Sequence, residues 1–270
     1  MKNMLRIELH RAFINPNFYL AIVVGTLLIS VFSIHYIIST PYRYYLLGIF
    51  EKHLFHDIYD YFCSYFFIFS PLLAVYPYSD SYVFDRMSGY NIFINLRIGR
   101  TSYLVSKVLA NALAGGMAIL IPIVVSSLIF ICSGYSEFYV AEGLGAWDEK
   151  YVFLNLLKQN PISAYLVFCL GSFLFGSAFA TLALAISTLI NDRYIVIILP
   201  VLLHFIYDST IPPLFANFQG NPYFSNLLAI NYSIYCSKTN WLSYFLPYIC
   251  LFLISGYMIN SHIRRNKDLL

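Results

Sequence analysis

Charged residues are scarce in this sequence: they make up 11% of 270 residues, whereas soluble domains carry about 25%. So little charge cannot supply a polar surface on all sides, and a soluble globular protein is excluded. Cysteines are few, and the five present show no C-x-x-C spacing, so neither a disulfide framework nor a cysteine metal site is predicted. The Walker A pattern G-x-x-x-x-G-K-S/T is also missing, and the chain is not expected to hydrolyse ATP itself.

Long apolar runs dominate what is present, and 60% of the residues are hydrophobic. A membrane-spanning helix needs about 20 consecutive apolar residues. We predict six transmembrane helices, and the fold class is therefore an all-α polytopic membrane protein with a single transmembrane domain over residues 1–270. The predicted spans are 18–38, 58–78, 104–132, 162–189, 194–211 and 241–259.

The basic residues are distributed unequally between the two sides of these spans. Eleven of the 16 fall on the side of both termini: Lys2, Arg6, Arg11, Arg86, Arg97, Arg100, Lys107, Arg193, Arg264, Arg265 and Lys267. The other side holds Arg43, Lys52, Lys150, Lys158 and Lys238. Because cytoplasmic segments carry the excess of Lys and Arg, both termini, the 260–270 tail and the segment between spans two and three are predicted to be cytoplasmic.

The first 16 residues predict a short helix of their own. Leu5, Leu9, Ala12 and Phe13 recur with helical spacing, and most of the basic residues lie off that face. The Asn15-Pro16 pair ends the helix before the first span. We interpret residues 1–16 as an amphipathic helix in the membrane interface; a frayed basic N-terminus is the alternative.

The longest polar interruption on the cytoplasmic side runs from Ser79 to Lys107. It carries both charge signs and two glycines between two rigid spans, and a soluble partner is expected to contact it there. The residues predicted to make that contact are Asp85, Arg86, Gly89, Tyr90, Arg97 and Arg100.

Small residues at a spacing of four predict close helix packing within spans three and four. Such rows let two helix backbones approach each other in lipid, and no chemistry is assigned to them. The rows are Ala110, Ala114 and Ala118 beside Asn111 and Gly115; Ser172, Gly176 and Ala180; and Ser177, Thr181 and Ala185.

Three features remain as candidates for chemistry or transport. His53, His56 and Asp57 form the only local cluster of metal-ligand types, and chance is the favoured reading because no H-E-x-x-H pattern is present. His204 is ionisable within a predicted span, which makes it a candidate pathway residue, although a satisfied interior histidine is favoured. A stripe of residues on span two could line a substrate route, with helix packing or lipid contact as the alternative: Phe62, Phe66, Phe69 and Leu73.

With this layout, two stretches of the chain carry a family resemblance. The first is Leu5-Arg6-Ile7-Glu8-Leu9 through Arg11 and Asn15-Pro16; the second is Asp85-Arg86-Met87-Ser88-Gly89-Tyr90 with Leu96-Arg97-Ile98-Gly99-Arg100, Tyr103 and Lys107. The chain resembles the membrane subunit of type-2 ATP-binding-cassette transporters, the exporter-type permeases of bacteria. That family often has Glu where Asp85 stands, which leaves a specific contact for this carboxylate open.

The resemblance implies an N-terminal connecting helix and, within 79–103, a coupling helix that docks on a separate ATP-binding subunit. It implies two permeases, identical or different, with two ATPases in a bacterial cytoplasmic membrane. ATP and Mg²⁺ would be held by the partner, with no cofactor or metal in this chain, no nucleic acid, and membrane lipids around it. The uncharged interior favours an amphipathic or hydrophobic substrate, such as an antimicrobial peptide, a drug or a lipid-like molecule.

Two other functions stay open on the sequence alone. One is a non-transporting membrane assembly or immunity protein that binds a target through its outer loops. The other is an intramembrane enzyme built on His53, His56 or His204.

Overall fold

The computed structural model describes residues 2–39, 66, 68–132, 156, 160–214 and 241–265. Within these ranges the chain is helical and has no strand, which confirms the predicted all-α class. A helical stretch at 68–75 leads into a turn at 76–80. The other helices are α1 Lys2–Phe13, α2 Pro16–Ser39, α3 Ser81–Met87, α4 Tyr90–Ile98, α5 Arg100–Cys132, α6 Pro161–Ser187, α7 Arg193–Leu214 and α8 Trp241–Arg265.

Three of the described helices are long and apolar enough to cross a membrane, namely Arg100–Ile129, Tyr165–Ser187 and Phe245–Arg264. A fourth span is formed if the bent pair Asn3–Phe13 and Pro16–Ser30 counts as one. These correspond to predicted spans three, four, six and one. Predicted span five falls on the shorter apolar helix Arg193–Tyr207. The first part of predicted span two, 58–65, and residue 67 lie outside the described residues, whereas 68–75 is helical and 76–78 belongs to the turn.

The chain bends by 49° between α1 and α2. The Asn15 side chain holds this bend, because its Nδ2 donates to the Pro77 carbonyl at 2.8 Å while its Oδ1 accepts from the Asn17 backbone N–H at 3.1 Å. Pro16 begins α2, where its missing N–H costs nothing. The phenyl rings of Phe13 and Phe18 meet edge to face across the bend, 5.0 Å apart.

The inward face of α1 differs from the predicted apolar face. Met4, Glu8 and Ala12 are buried, one turn apart along the helix, whereas Leu9 and Phe13 are half-buried beside them. A carboxylate at the centre of the buried face is the opposite of what an apolar stripe predicts. Burial of Glu8 requires polar partners from elsewhere in the chain.

The α5–α6 contact confirms the predicted packing rows, all of whose members are buried. Gly115 and Gly176 face each other so closely that a Cβ on Gly176 would lie 2.5 Å from the Gly115 carbonyl oxygen. Asn111 closes the same contact, since its Nδ2 donates to the Ala180 carbonyl at 2.6 Å and its Oδ1 accepts from Ser79 Oγ at 3.2 Å. The contact therefore anchors the 76–80 turn against α5 and α6.

Candidate functional site

A cluster of buried polar side chains lies where α1, the 76–80 turn, α3 and α5 meet. It contains two carboxylates, two cations and two phenols, brought together from distant parts of the chain. We call it the junction cluster: Glu8, Arg11, Tyr78, Asp85, Tyr103 and Lys107.

Asp85 is the centre of the junction cluster and is almost fully buried. Arg11 binds it with both terminal nitrogens of its guanidinium group: Nη2 donates to Oδ1 at 2.7 Å, and Nη1 donates to Oδ2 at 3.2 Å. Tyr103 Oη donates to Oδ2 at 2.6 Å, and Lys107 Nζ donates to the same oxygen. Burial alone would raise the pKa of Asp85, but the hydrogen bonds from Arg11 and Lys107 outweigh it and hold that pKa below its usual range. Asp85 is therefore a carboxylate at neutral pH.

Glu8 completes the charge balance of the junction cluster. Its Oε2 accepts from Tyr78 Oη and lies 3.7 Å from Lys107 Nζ, and its Oε1 lies 3.2 Å from Arg11. Two anions are thus matched by two cations, and every charged side chain has hydrogen-bond partners. A buried ion pair is tolerable only under such conditions, and removing one member leaves an uncompensated buried charge.

The other side of α3 contacts the turn between α6 and α7. Arg86 donates to the carbonyls of Ser187, at 3.2 Å, and Ile190, at 2.8 Å. The Ser187 carbonyl is one of those that the end of α6 leaves without an intrahelical partner, and the Ile190 carbonyl belongs to the turn that follows. Just before α3, Asp80 accepts from Arg193 at 2.9 Å and 2.6 Å, at the start of α7.

The last helix reaches the same region through His262. Its Nε2 lies 2.8 Å from an Arg100 nitrogen and 3.2 Å from Tyr82 Oη. The short helix α3 is therefore in side-chain contact with α1, α5, the α6–α7 turn and α8.

The outer side of the α3–α4 segment, Ser81–Ile98, is apolar and exposed. Met87 is 72% exposed, Phe93 70%, Ile92 61% and Phe84 52%; we call these four side chains the outer ridge. Gly89 separates the two helices with a φ of +72°, a conformation that L side chains rarely adopt. The sequence has no acidic residue between Asp85 and Glu137, and the Arg193 guanidinium lies over the Phe84 ring, 5.5 Å from its centroid.

The structure gives the predicted contact residues different surroundings. Asp85 is buried, while Arg86 and Arg100 are half-buried and engaged within the chain. Tyr90 is partly exposed beneath the Arg11 guanidinium, 5.1 Å from its ring centre. Arg97 is exposed.

The predicted pathway residues do not share one surface. Phe66 is buried and Phe69 is 46% exposed. His204 is buried between Phe175 and Phe179, with ring centres 5.9 and 5.2 Å away, in the core shared with α6. Phe62, His53, His56 and Asp57 lie outside the described residues. Among the residues that the structure does describe, no group of three or more His, Cys, Asp or Glu side chains could hold a metal ion.

Of the six residues in the junction cluster, only Asp85 was among the predicted site residues. Glu8 is the only acidic residue among the first 50, and its place between Met4 and Ala12 was the available signal. Lys107 lies within the third predicted span, where a lone cation implies a buried partner. Tyr103 entered only as one of the residues that carry the family resemblance, and Tyr78 gave no signal, because the sequence holds 25 tyrosines.

No known protein family, curated protein or solved structure matches this chain. What the chain does must be inferred from its own sequence and contacts.

Proposed function

We propose that this chain is the permease subunit of an ATP-driven exporter, and that a separate ATPase subunit docks on its α3–α4 segment. One observation carries the proposal: the inner side of this segment is fixed by charged contacts to several helices, while its outer side exposes the outer ridge. A contiguous exposed apolar patch with basic residues beside it is typical of a protein interaction site.

The contacts of α3 are suited to transmitting movement. Asp85 connects α3 to α1 and α5, and Arg86 connects it to the α6–α7 turn. Asp80, directly before α3, binds Arg193 at the start of α7. A partner that pulls or pushes on the outer ridge acts on all of these helices together. Nucleotide binding in the partner would then shift the permease between inward-open and outward-open states, to the extent that the partner binds the two states differently.

The substrate proposed here is amphipathic or hydrophobic: an antimicrobial peptide, a drug or a lipid-like molecule. The charged side chains buried in the described part of the chain lie in α1, the 76–80 turn, α3 and the start of α5: Glu8, Asp80, Asp85 and Lys107. Each is engaged with other protein groups, and among the residues of α6, α7 and α8 whose burial the structure describes, none is a buried charged side chain that could bind an ion. Two permeases with two ATPases, in the cytoplasmic membrane and with both termini in the cytoplasm, form the assembly of this proposal.

Serine replacement of the outer ridge tests the proposal. We expect Met87→Ser, Ile92→Ser and Phe93→Ser together to abolish co-purification of an ATPase subunit with the full chain, because these side chains point away from the protein. The matched control is Tyr194→Ser, which alters a side chain 78% exposed at the start of α7. Retention of the ATPase by the triple variant would overturn the docking assignment.

A second measurement separates docking on a protein from lying on the membrane. Phe93→Trp places a fluorophore on the outer ridge, and brominated lipids quench a tryptophan that enters the bilayer. We expect weak quenching, and less solvent exposure when the ATPase is bound. Strong quenching would assign the outer ridge to the lipid surface instead.

A further inference from the structure

One imidazole ring joins the end of α8 to α5 and α3. His262 Nε2 lies 2.8 Å from Nη2 of Arg100, the first residue of α5, and 3.2 Å from Oη of Tyr82 in α3. The same region is packed by an apolar cluster in which Ile263 lies against Tyr82 and its neighbours. Side chains of α3 and α5 thus both contact Nε2 of His262 in α8.

The chemistry of the partners fixes the protonation state of this ring. A guanidinium group can only donate hydrogen bonds. At 2.8 Å, Nε2 of His262 must therefore accept with its lone pair, which leaves the ring neutral with its proton on Nδ1. The Tyr82 hydroxyl can donate or accept, so it suits either form of the ring.

We propose that His262 is a proton-operated switch between two partners. The neutral ring accepts from Arg100. When Nε2 takes a proton from water, the new N–H cannot face the Arg100 N–H groups, and it donates to the Tyr82 oxygen instead. Arg100 is released, and the end of α8 loses its hydrogen bond to the start of α5.

The charges around the ring make the two partners mutually exclusive. The charged groups that act on the ring are Arg100 and Arg86, both cationic, so a protonated ring would add a third positive charge there; Arg264, on the same helix, is exposed. Other charged side chains on the elements packed here are engaged elsewhere or exposed: Arg6, Glu8, Arg11, Asp80, Asp85, Arg97 and Lys107. Burial and the guanidinium groups of Arg100 and Arg86 hold the pKa of His262 below the value of about 6.5 for free imidazole, so the switch operates only when the medium becomes acidic.

The switch goes beyond the proposed function and does not depend on it. It places the contact between the last helix and the α3–α5 region under the control of pH, whichever partner binds the outer ridge. Its readout is the structure of the chain alone, so a failed ATPase experiment leaves it standing and the reverse also holds.

Hydrogen exchange on the full-length chain in lipid nanodiscs tests the switch. We expect peptides covering 82–103 and 258–265 to exchange about tenfold faster at pH 5.5 than at pH 7.5, after correction for the intrinsic rate, as befits the loss of one charge-assisted hydrogen bond. In His262→Gln the pH effect should vanish, because the amide oxygen still accepts from Arg100 but does not titrate. His10→Gln, at an exposed histidine of α1, should keep it.

A second variant and a direct measurement complete the test. His262→Lys carries a fixed positive charge and should exchange at pH 7.5 as the unaltered chain does at pH 5.5. If that variant does not fold, ¹⁵N spectra of histidine-labelled protein decide, with His262→Gln identifying the signal. The switch is overturned if His262 carries its proton on Nε2 at pH 7.5, or if the pH effect is absent, or if it persists in His262→Gln.

Discussion

At the scale of single residues, Lys107 shows what a buried charge requires of its surroundings. It lies about two turns into an apolar helix, is fully buried, and is bound by Asp85 and Tyr103 with Glu8 close by. Truncation of such a residue is severe because the carboxylates that it neutralised stay buried.

Lys107→Met should lower the free energy of unfolding by about 3–5 kcal/mol, the usual cost of removing one member of a buried ion pair. Thermal unfolding in detergent measures this. The double variant Lys107→Met with Glu8→Gln removes one cation and one anion together, so part of the loss should return. Equal stability of the two variants would contradict the charge balance drawn for the junction cluster.

The pH dependence of Asp85 has a definite sign. Because its folded pKa lies below the unfolded value of about 3.9, its contribution to stability is complete above that value and is lost only as pH falls through the lower, folded pKa. Asp85→Asn should therefore cost the same stability at pH 7.5 as at pH 5.5. A cost that shrinks between these two pH values would mean that Asp85 already titrates there.

At the scale of helices, the α5–α6 contact depends on the absence of a side chain at two positions. A Cβ on Gly115 would meet the Ala74 carbonyl at 2.8 Å and the Gly176 carbonyl at 2.9 Å, and backbone atoms cannot easily move aside. Gly256 in α8 has nothing within 4 Å of its would-be Cβ and is the matched position for comparison.

Gly115→Ala should destabilise the chain by about 1–3 kcal/mol through overpacking, whereas Gly256→Ala should leave stability unchanged or slightly raise it, because alanine favours helices. Thermal unfolding of the two variants side by side provides the measurement. Similar melting temperatures would show that α5 and α6 are less closely packed than described.

The sequence predicts the packing of small residues between α5 and α6 better than it predicts the polar contacts of α1. Rows such as Ala110, Ala114 and Ala118 were predicted because small residues at a spacing of four leave a periodic pattern within one helix. The inward face of α1 was predicted incorrectly, since Glu8 is buried only through partners such as Tyr78 and Asp85, more than 60 residues away. Periodicity shows which side of a helix is apolar, but it does not show which distant groups meet a polar residue. For the same reason Asp85 and Arg86 were found as candidate residues while their inward partners were not.

At the scale of the whole molecule, the proposed function assigns separate residues of the α3–α4 segment to holding a partner and to contacting the rest of the chain. The outer ridge side chains are exposed, whereas Arg86 lies inward against the α6–α7 turn. Docking and transmission can therefore be disturbed independently.

Arg86→Gln should leave binding of an ATPase subunit intact and reduce transport about tenfold or more, because α3 would no longer be joined to the α6–α7 turn by a charged hydrogen bond worth about 1.5–3 kcal/mol. Co-purification and substrate efflux are measured on the same preparation. Arg193→Gln, which removes a more exposed ion pair, should have a smaller effect. Loss of binding in Arg86→Gln would contradict this separation of roles.

The bend between α1 and α2 has a consequence for how the chain is made. Glu8 and Arg11 leave the ribosome early, but their buried partners Asp85 and Lys107 follow only after most of the first half has been synthesised. At about 5–20 residues per second this delay lasts several seconds. During that time the buried partners of α1 do not yet exist, so its charged side chains can pack against α3 and α5 only after Asp85 and Lys107 have been synthesised. Helix α1 is thus translated well before the helices that bury it, and it reaches its final contacts only after they have followed.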